Sequence, residues 1–160
     1  MKEFSRKRTQ ARQIAMQYLY MRDILKNKDI EPMDGFIREQ TTDADVMRYS
    51  AQLIRETIAK QPDIDALIES VAENWALSRM PAVDRNIIRI SVSELMSEDA
   101  IPVQVTINEA IEMGRKFSTR DSGAFINGVI DKIAISLKKP ADDAVAPDAP
   151  SIDAPTPDAD

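Results

Sequence analysis

The sequence predicts an all-α fold of about seven helices, on three observations. Apolar residues recur through most of the chain with the period of a helix and not with that of a strand. Four prolines, at positions 32, 62, 81 and 102, divide the chain at intervals that suit helix boundaries. Residues 101–107 alternate like a strand, but the chain offers no second strand that could pair with them. We therefore expect that segment to be a loop that leads into a helix.

A first helix is expected near the N-terminus, where one stripe of apolar residues follows the helical period. The stripe consists of Ala11, Ile14, Ala15, Tyr18 and Leu25. Tyr18 and Tyr20 would then lie on different sides of the helix. We expect Tyr18 in the core and Tyr20 exposed or packed against a neighbour.

Two later helices are also predicted by their apolar residues. Residues 82–97 are apolar on more than one face, which predicts a central helix with neighbours on several sides. The last helix has one clear stripe, formed by Ile126, Val129, Ile130, Ile133, Ala134 and Leu137. Gly128 lies within that helix, and we interpret it as a point of close contact with another helix.

Helix starts are predicted from residues whose side chains can accept hydrogen bonds from free backbone N–H groups. Asp63 and Asp121 are expected to be N-caps of the helices that they precede. Thr106 and Glu109, just after Pro102, have the spacing of a capping box.

The charge pattern divides the 160 residues into a helical domain, 1–139, and an acidic tail, 140–160. The tail contains six aspartates, five of the nine prolines and no Lys or Arg, so it accounts for the whole net charge of -6. It has few residues to bury, and we expect it to be disordered. The helical domain is formally neutral, so an acidic total hides any local basic segment.

The composition argues against an enzyme. The chain has no histidine and no cysteine, which excludes disulfides, thiolate metal sites and the residue best suited to proton transfer near neutral pH. Its four glycines are scattered and form no phosphate-binding loop. Carboxylate pairs such as Glu94 and Glu98 have the ordinary spacing of a solvated helix face. We expect no catalytic residues, no cofactor and no metal.

The location expected for the protein is the cytoplasm. The N-terminal residues lack the apolar segment of a signal peptide, and no run of apolar residues approaches the length of a membrane span. We therefore expect neither secretion nor a membrane partner.

The first twelve residues are the most basic part of the chain, with Lys2, Arg6, Lys7, Arg8 and Arg12 against Glu3. Cations at a helix N-terminus oppose the helix dipole, so a ligand accounts for them better than helix stability does. Arg8 and Arg12 lie one turn apart and are expected to present their guanidinium groups together to phosphate oxygens of a single-stranded nucleic acid. The alternative is a helix start whose charges are merely solvated.

A second positive segment precedes the last helix. Arg115, Lys116 and Arg120 lie close to Phe117 and Phe125, which could form a second nucleic-acid contact. The alternative is that both rings pack in the core. Trp75 is expected to be a core anchor at a helix junction.

Three ordered blocks together resemble one family of proteins. They are VDRNIIRISVSEL at 83–95, IPVQVTINEAIEMGRKF at 101–117 and DSGAFINGVIDKIA at 121–134. These blocks, with a first helix at 11–20, resemble the bacterial transcription antitermination factors of the NusB family over about residues 5–138. The resemblance implies about seven helices in two small bundles. It also implies binding of boxA elements in nascent RNA together with the ribosomal protein NusE, in an RNA polymerase antitermination complex.

The resemblance also implies positions for the two binding surfaces. The residues on the RNA surface would be Arg6, Lys7, Arg8, Arg12, Asp121 and Phe125, with Arg120 beside them in the basic loop. The surface for NusE would lie around Arg79 and Asp84. A hypothesis from another class is a helical protein-interaction adaptor that does not recognise an RNA sequence.

Overall fold

The fold is seven α-helices and a short 3₁₀ helix in a computed structural model that describes residues 2–72, 75–99 and 101–137. The α-helices are α1 (Lys2–Ile24), α2 (Met33–Gln40), α3 (Ala44–Ala59), α4 (Gln61–Val71), α5 (Ala82–Met96), α6 (Val103–Phe117) and α7 (Ser122–Ser136). The 3₁₀ helix is Leu77–Arg79. These ranges contain no strand, which confirms the all-α prediction. The predicted tail, 140–160, lies outside them.

Proline sets the start of four helices. Pro32, Pro81 and Pro102 immediately precede α2, α5 and α6, and Pro62 lies in the first turn of α4. A proline lacks an N–H group, which a first helical turn does not use, and its φ angle already suits a helix. The predicted boundaries are confirmed, and so is the loop that leads into α6.

Capping differs from the prediction at the starts of α4 and α7. Asp63 lies inside α4, two residues after its first residue Gln61, and Asp121 precedes α7 without a side-chain capping bond in the described structure. Asp43 is the side chain that caps a helix, because its Oδ1 accepts hydrogen bonds from backbone N–H groups at 2.8 and 3.1 Å at the start of α3. The predicted capping box is wrong as well, since Thr106 and Glu109 lie inside α6 and bond to other helices.

The helix α5 forms the centre of the fold. It packs against α1, α3, α4, α6 and α7. Its residues from Asn86 to Leu95 are all buried, which confirms the predicted central helix. The helices α1 and α3 therefore share one continuous core with α6 and α7.

The stripes predicted for α1 and α7 face that core, with one exception. Tyr18 is buried and Tyr20 is exposed, as expected. Leu25 is exposed, because α1 ends at Ile24 and the chain turns there. None of the helices in the described ranges is long and apolar enough to cross a membrane.

Close contact between helices occurs at a different glycine from the one predicted. A Cβ atom added at Gly128 would have no neighbour within 4 Å in the described part of the chain. One added at Gly114 would lie 3.0 Å from Cδ1 of Ile126, where α6 packs against α7. The interpretation of Gly128 is therefore wrong, since the local pattern does not show which face of α7 meets α6.

A polar cluster joins the end of α1 to α4 and α5. The Asp23 carboxylate accepts hydrogen bonds from Arg85 Nε at 2.8 Å and Asn86 Nδ2 at 2.9 Å. Arg89 donates two hydrogen bonds to the Asp65 carboxylate, at 2.8 and 3.0 Å. Partial burial acts to raise the pKa of Asp23, but the hydrogen bonds from Arg85 and Asn86 outweigh it and hold that pKa below its ordinary value.

Candidate nucleic-acid interface

The N-terminal turns of α1 place Arg8 between two aromatic rings. The guanidinium carbon of Arg8 lies 3.7 Å from the centre of the Tyr49 ring and 4.7 Å from that of Phe4. Rings attract a cation placed over their faces, and a stacked guanidinium keeps its N–H groups at its edge. Arg8 is thus held in place at the surface with donors suited to phosphate oxygens.

Tyr49 is itself held in place by a contact in the core. Its hydroxyl donates a hydrogen bond to the Glu94 carboxylate, in the core of the molecule. Burial raises the pKa of Tyr49 far above its ordinary value, and the negative charge of Glu94 raises it further. The hydroxyl therefore stays protonated, and the ring under Arg8 is rigidly placed.

Arg12 does not lie on the surface with Arg8, which corrects the sequence prediction. Its side chain is 4% exposed, its Nε donates to Glu94 Oε2 at 2.8 Å, and its Nη1 lies 3.6 Å from Glu109 Oε1. The two arginines share one face of α1, but α5 and α6 cover that face at Arg12 and leave it open at Arg8. Arg12 therefore positions the site from inside and is not free to form a phosphate contact.

Glu94 belongs to the site, and its interpretation as part of a solvated helix face with Glu98 is wrong. It is 3% exposed, and it accepts hydrogen bonds from Arg12 on α1, Tyr49 on α3 and Thr106 on α6. A buried carboxylate needs such partners, and here they join three helices to α5. The signal available in the sequence was that Glu94 is the one carboxylate between residues 87 and 95, in a helix predicted to be apolar on more than one face.

Lys7 is held by acidic residues of α3. Its Nζ lies 2.9 Å from Asp45 Oδ2 and 3.3 Å from Asp43 Oδ2. Hydrogen bonds to Asp45 and then to Asp43 hold the pKa of Lys7 above its ordinary value. A phosphate group would have to compete with these carboxylates, whereas Arg6 is exposed one residue earlier.

At the other end of α5, the remaining predicted residues surround one pocket of about 280 Å³. Its lining includes Trp75, Arg79, Asp84, Asp121 and Phe125. Asp121 and Phe125 were predicted for the RNA surface, and Arg79 and Asp84 for the partner surface. The structure brings all four together. Arg120 is exposed in the loop beside the pocket.

Two of the pocket residues differ from their predicted placement. Trp75 is 41% exposed and packs edge-on against Phe125, with ring centres 5.7 Å apart, so its prediction as a core anchor is wrong. Asp84 is 3% exposed and accepts hydrogen bonds from Ser118 Oγ at 2.6 Å and Ser122 Oγ at 3.0 Å. The Asp84 carboxylate holds the loop between α6 and α7, and does not point freely toward a partner.

The two ends are linked along the seam between α1 and α6. Thr9 Oγ1 donates to Glu109 Oε1 at 2.8 Å, and Lys116 Nζ donates to Gln13 Oε1 at 3.1 Å. Lys116 is exposed and adds a positive charge beside Gln13 of α1. Glu94, below Arg8, and Asp84, at the pocket, are about 15 Å apart along α5 at the helical rise per residue. A short single strand could thus contact both ends.

The described residues contain no group of three or more potential ligands placed to hold a metal ion. The chemistry of the site is that of exposed guanidinium and ammonium groups beside aromatic rings. Such a surface suits phosphates and unstacked bases.

Sequence comparison relates the chain to one family of proteins. A sequence model of the NusB family matches residues 9–135. The chain is 42% identical over 134 residues to the transcription antitermination protein NusB of Anaeromyxobacter sp. (strain Fw109-5), covering 83% of this chain and 93% of that protein. It is 41% identical over 130 residues to the NusB of Desulforapulum autotrophicum, covering 80% and 91%.

Structure comparison finds the same kind of fold in solved proteins. T. maritima NusB superposes with a TM-score of 0.72 and 32% identity, covering 80% of this chain and 90% of that one. A chain from the crystal structure of antitermination factors NusB and NusE in complex with double-stranded RNA gives a TM-score of 0.72, covering 82% and 98%. At 24% identity, that second likeness concerns the fold alone.

Proposed function

This chain belongs to the NusB family, and from that premise we propose that it is a transcription antitermination factor that binds boxA-type RNA. In this proposal it acts with the ribosomal protein NusE in an RNA polymerase antitermination complex and promotes reading through terminators. Its relatives carry the name of transcription antitermination proteins, and a structural neighbour was crystallised with NusE and RNA. The role is one of binding and not of catalysis, and it places the protein in the cytoplasm, with nascent RNA.

The stacked position of Arg8 is the observation that carries the RNA part of the proposal. A surface arginine in general loses side-chain freedom when it grips a phosphate. Arg8 has lost much of that freedom already, between Phe4 and Tyr49. Binding by Arg8 is therefore less costly in entropy than binding by a freely moving arginine.

The rest of the RNA surface follows the cations that lie at the surface. From Arg6 and Arg8 it runs past Lys116 to Arg120, Asp121 and Phe125. Lys7 joins it when a phosphate displaces Asp43 and Asp45. Arg12 supports this surface from inside through Glu94.

The surface for NusE is proposed at the exposed part of the pocket, around Trp75 and Arg79. Both are exposed, and aromatic and arginine side chains are the residues most often found at the centre of protein interfaces. Asp84 contributes by holding the neighbouring loop. Because Phe125 packs on Trp75, RNA bound at one side of the pocket and NusE at the other could stabilise each other's binding.

Binding of the full chain to boxA-like RNA, with a scrambled RNA of equal length as control, tests the proposal. We expect tighter binding to the boxA-like RNA, and a further gain when NusE is added. The affinity should fall with salt at a log-log slope of about -0.7 for each phosphate contacted. Equal binding to both RNAs, with no gain from NusE, would contradict the proposal and favour the adaptor.

Substitutions of Arg8 and Trp75 test the RNA surface and the NusE surface separately, and a substitution of Arg38 is the control. Arg8→Ala should weaken RNA binding and reduce the salt slope, whereas Arg38→Ala, at an exposed arginine on α2, should change neither. Trp75→Ala should weaken the binding of NusE by about tenfold or more if it is a central interface residue. If Arg8→Ala and Arg38→Ala bound RNA alike, the stacked arginine would not be the contact.

A further inference from the structure

A second groove lies directly beside Arg8, between the first turns of α1, the middle of α3 and the start of α6. Its volume is about 670 Å³, within the range of small-molecule sites. The residues that matter for its chemistry are Phe4, Arg8, Gln52, Asp99, Pro102 and Val105. The groove is thus continuous with the proposed RNA surface.

Apolar groups that suit a flat ring form two of its walls. The Phe4 side chain is 58% exposed, and Val105 is 40% exposed, next to Pro102. Most of the Phe4 ring is therefore left uncovered by the core of the protein. Stacking with a base would cover its free face.

The groove contains charges of both signs: Asp99 and Glu109 are carboxylates, and Arg8 and Arg12 are cations, of which Arg12 is already paired with Glu94 and Glu109. Asp99 Oδ2 accepts a hydrogen bond from Gln52 Nε2 at 3.2 Å, which orients the carboxylate at the surface. An ionised carboxylate has about four acceptor positions, so Asp99 can accept further hydrogen bonds beside Gln52. Glu109 adds a second carboxylate to the lining, close to Arg12.

This charge pattern selects which part of a nucleotide enters. A phosphate group beside Asp99 would be repelled by its carboxylate, whereas a phosphate group beside Arg8 would be attracted to its guanidinium group. A base with N–H donors at its edge would be attracted to Asp99 and not to Arg8. The nucleotide is therefore oriented with its base toward Asp99 and its phosphate toward Arg8.

The donor pattern of the bases singles out guanine. Its Watson–Crick edge has two adjacent donors, N1–H and N2–H, which match the two oxygens of one carboxylate. Adenine and cytosine each place an acceptor next to a single amino donor on that edge, and uracil places its donor between two acceptors. An acceptor facing Asp99 would be repelled.

We infer that this groove is a specificity pocket for one unstacked guanine of the bound RNA, with Asp99 reading its N1–H and N2–H edge and Phe4 stacking on its face. The inference rests on the proposed RNA binding, and it adds a base-reading residue to that surface. Recognition of unstacked bases through their Watson–Crick edge and an aromatic face is the usual way to read single-stranded RNA.

The test uses short single-stranded RNAs that are identical except at one position within a run of uridines. That position is guanosine, inosine or adenosine, and binding is measured by fluorescence anisotropy, with and without NusE. The full chain should bind the guanosine RNA about tenfold more tightly than the adenosine RNA, as expected for one bidentate contact. Inosine lacks the N2 amino group and should fall between the two.

Variants then assign the preference to the groove. Asp99→Ala should remove the preference for guanosine, whereas Asp63→Ala, at an exposed aspartate of α4, should keep it. Phe4→Leu should weaken the binding of all three RNAs, by about fivefold or more for the loss of one stacked base.

The outcomes separate this inference from the proposed function. Binding of RNA with equal affinity for guanosine and adenosine would overturn the specificity pocket and leave RNA binding in place. An unchanged preference in Asp99→Ala would also overturn it. Failure of the chain to bind any of these RNAs, with binding of boxA-like RNA retained, would overturn the specificity pocket alone, and failure to bind boxA-like RNA as well, with or without NusE, would overturn both.

Discussion

Replacing Arg12 by methionine is expected to destabilise the fold by about 3–5 kcal/mol, the usual cost of removing one partner from a buried ion pair. Arg12 and Glu94 are 4% and 2% exposed at their side chains, with 2.8 Å between Nε and Oε2. Without Arg12, the Glu94 carboxylate keeps the hydrogen bonds from Tyr49 and Thr106 but loses its opposite charge. Methionine is chosen because its similar length limits the effect of an empty cavity.

The assay is urea unfolding of the full chain, followed by far-ultraviolet circular dichroism at neutral pH. A loss of this size should also lower the Tm by about 10 °C for a domain of this length. Arg38→Met is the matched control, since that arginine is exposed on α2. It should leave the unfolding midpoint nearly unchanged.

A second substitution tests the cause of the loss. Glu94→Gln alone should destabilise the protein, because it removes the charge that holds Arg12. Added to Arg12→Met, the same substitution should recover about 1 kcal/mol or more, since a neutral amide costs less to bury than an unpaired carboxylate. If Arg12→Met behaved like Arg38→Met, or if Glu94→Gln worsened it further, the reasoning from buried charge would be refuted.

Three further predictions concern the acidic residues and the glycines. Asp45→Asn should remove one of the two carboxylates that hold Lys7 and tighten RNA binding at low salt, an effect that should vanish at high salt if the contact is electrostatic. The pKa of Asp23 is lowered in the folded state, so its stabilising contribution is present above its ordinary pKa near 3.8 and is lost as the pH falls below that value. Unfolding of Asp23→Asn between pH 5 and about pH 2 should therefore depend less on pH than unfolding of the unsubstituted chain, and an equal dependence would contradict the shift. Gly128→Ala should stabilise the protein by about 1 kcal/mol, because alanine is the better helix former and its Cβ has room. Gly114→Ala should give clearly less, and equal gains would show that Ile126 moves freely.

Much of the fold could be predicted because its causes are local. The helical period of apolar residues identifies α1, α5 and α7, and proline restricts the backbone wherever it occurs, so Pro81 and Pro102 mark helix starts whatever surrounds them. Capping was less predictable. Thr106 has the spacing of a cap, but a buried carboxylate on another helix takes its hydroxyl.

Part of the site could also be predicted, because its causes are local in the sequence. The excess of cations at the N-terminus is a property of the sequence, and Arg6 and Arg8 lie at the surface as expected. The exposure of Trp75 could not be predicted, because a large aromatic residue is usually buried and only the packing around Phe125 leaves part of it open.

The sequence by itself determined that the protein is helical and that its N-terminal end is basic, since period, proline positions and charge are read without knowing which segments meet. Only the tertiary structure decided what each charge does. Arg8 and Arg12 are one turn apart and chemically alike, but α5 and α6 cover one and leave the other at the surface. The physical reason is that the cost of burying a charge depends on the partners that other helices bring to it, and Glu94 is such a partner for Arg12 alone.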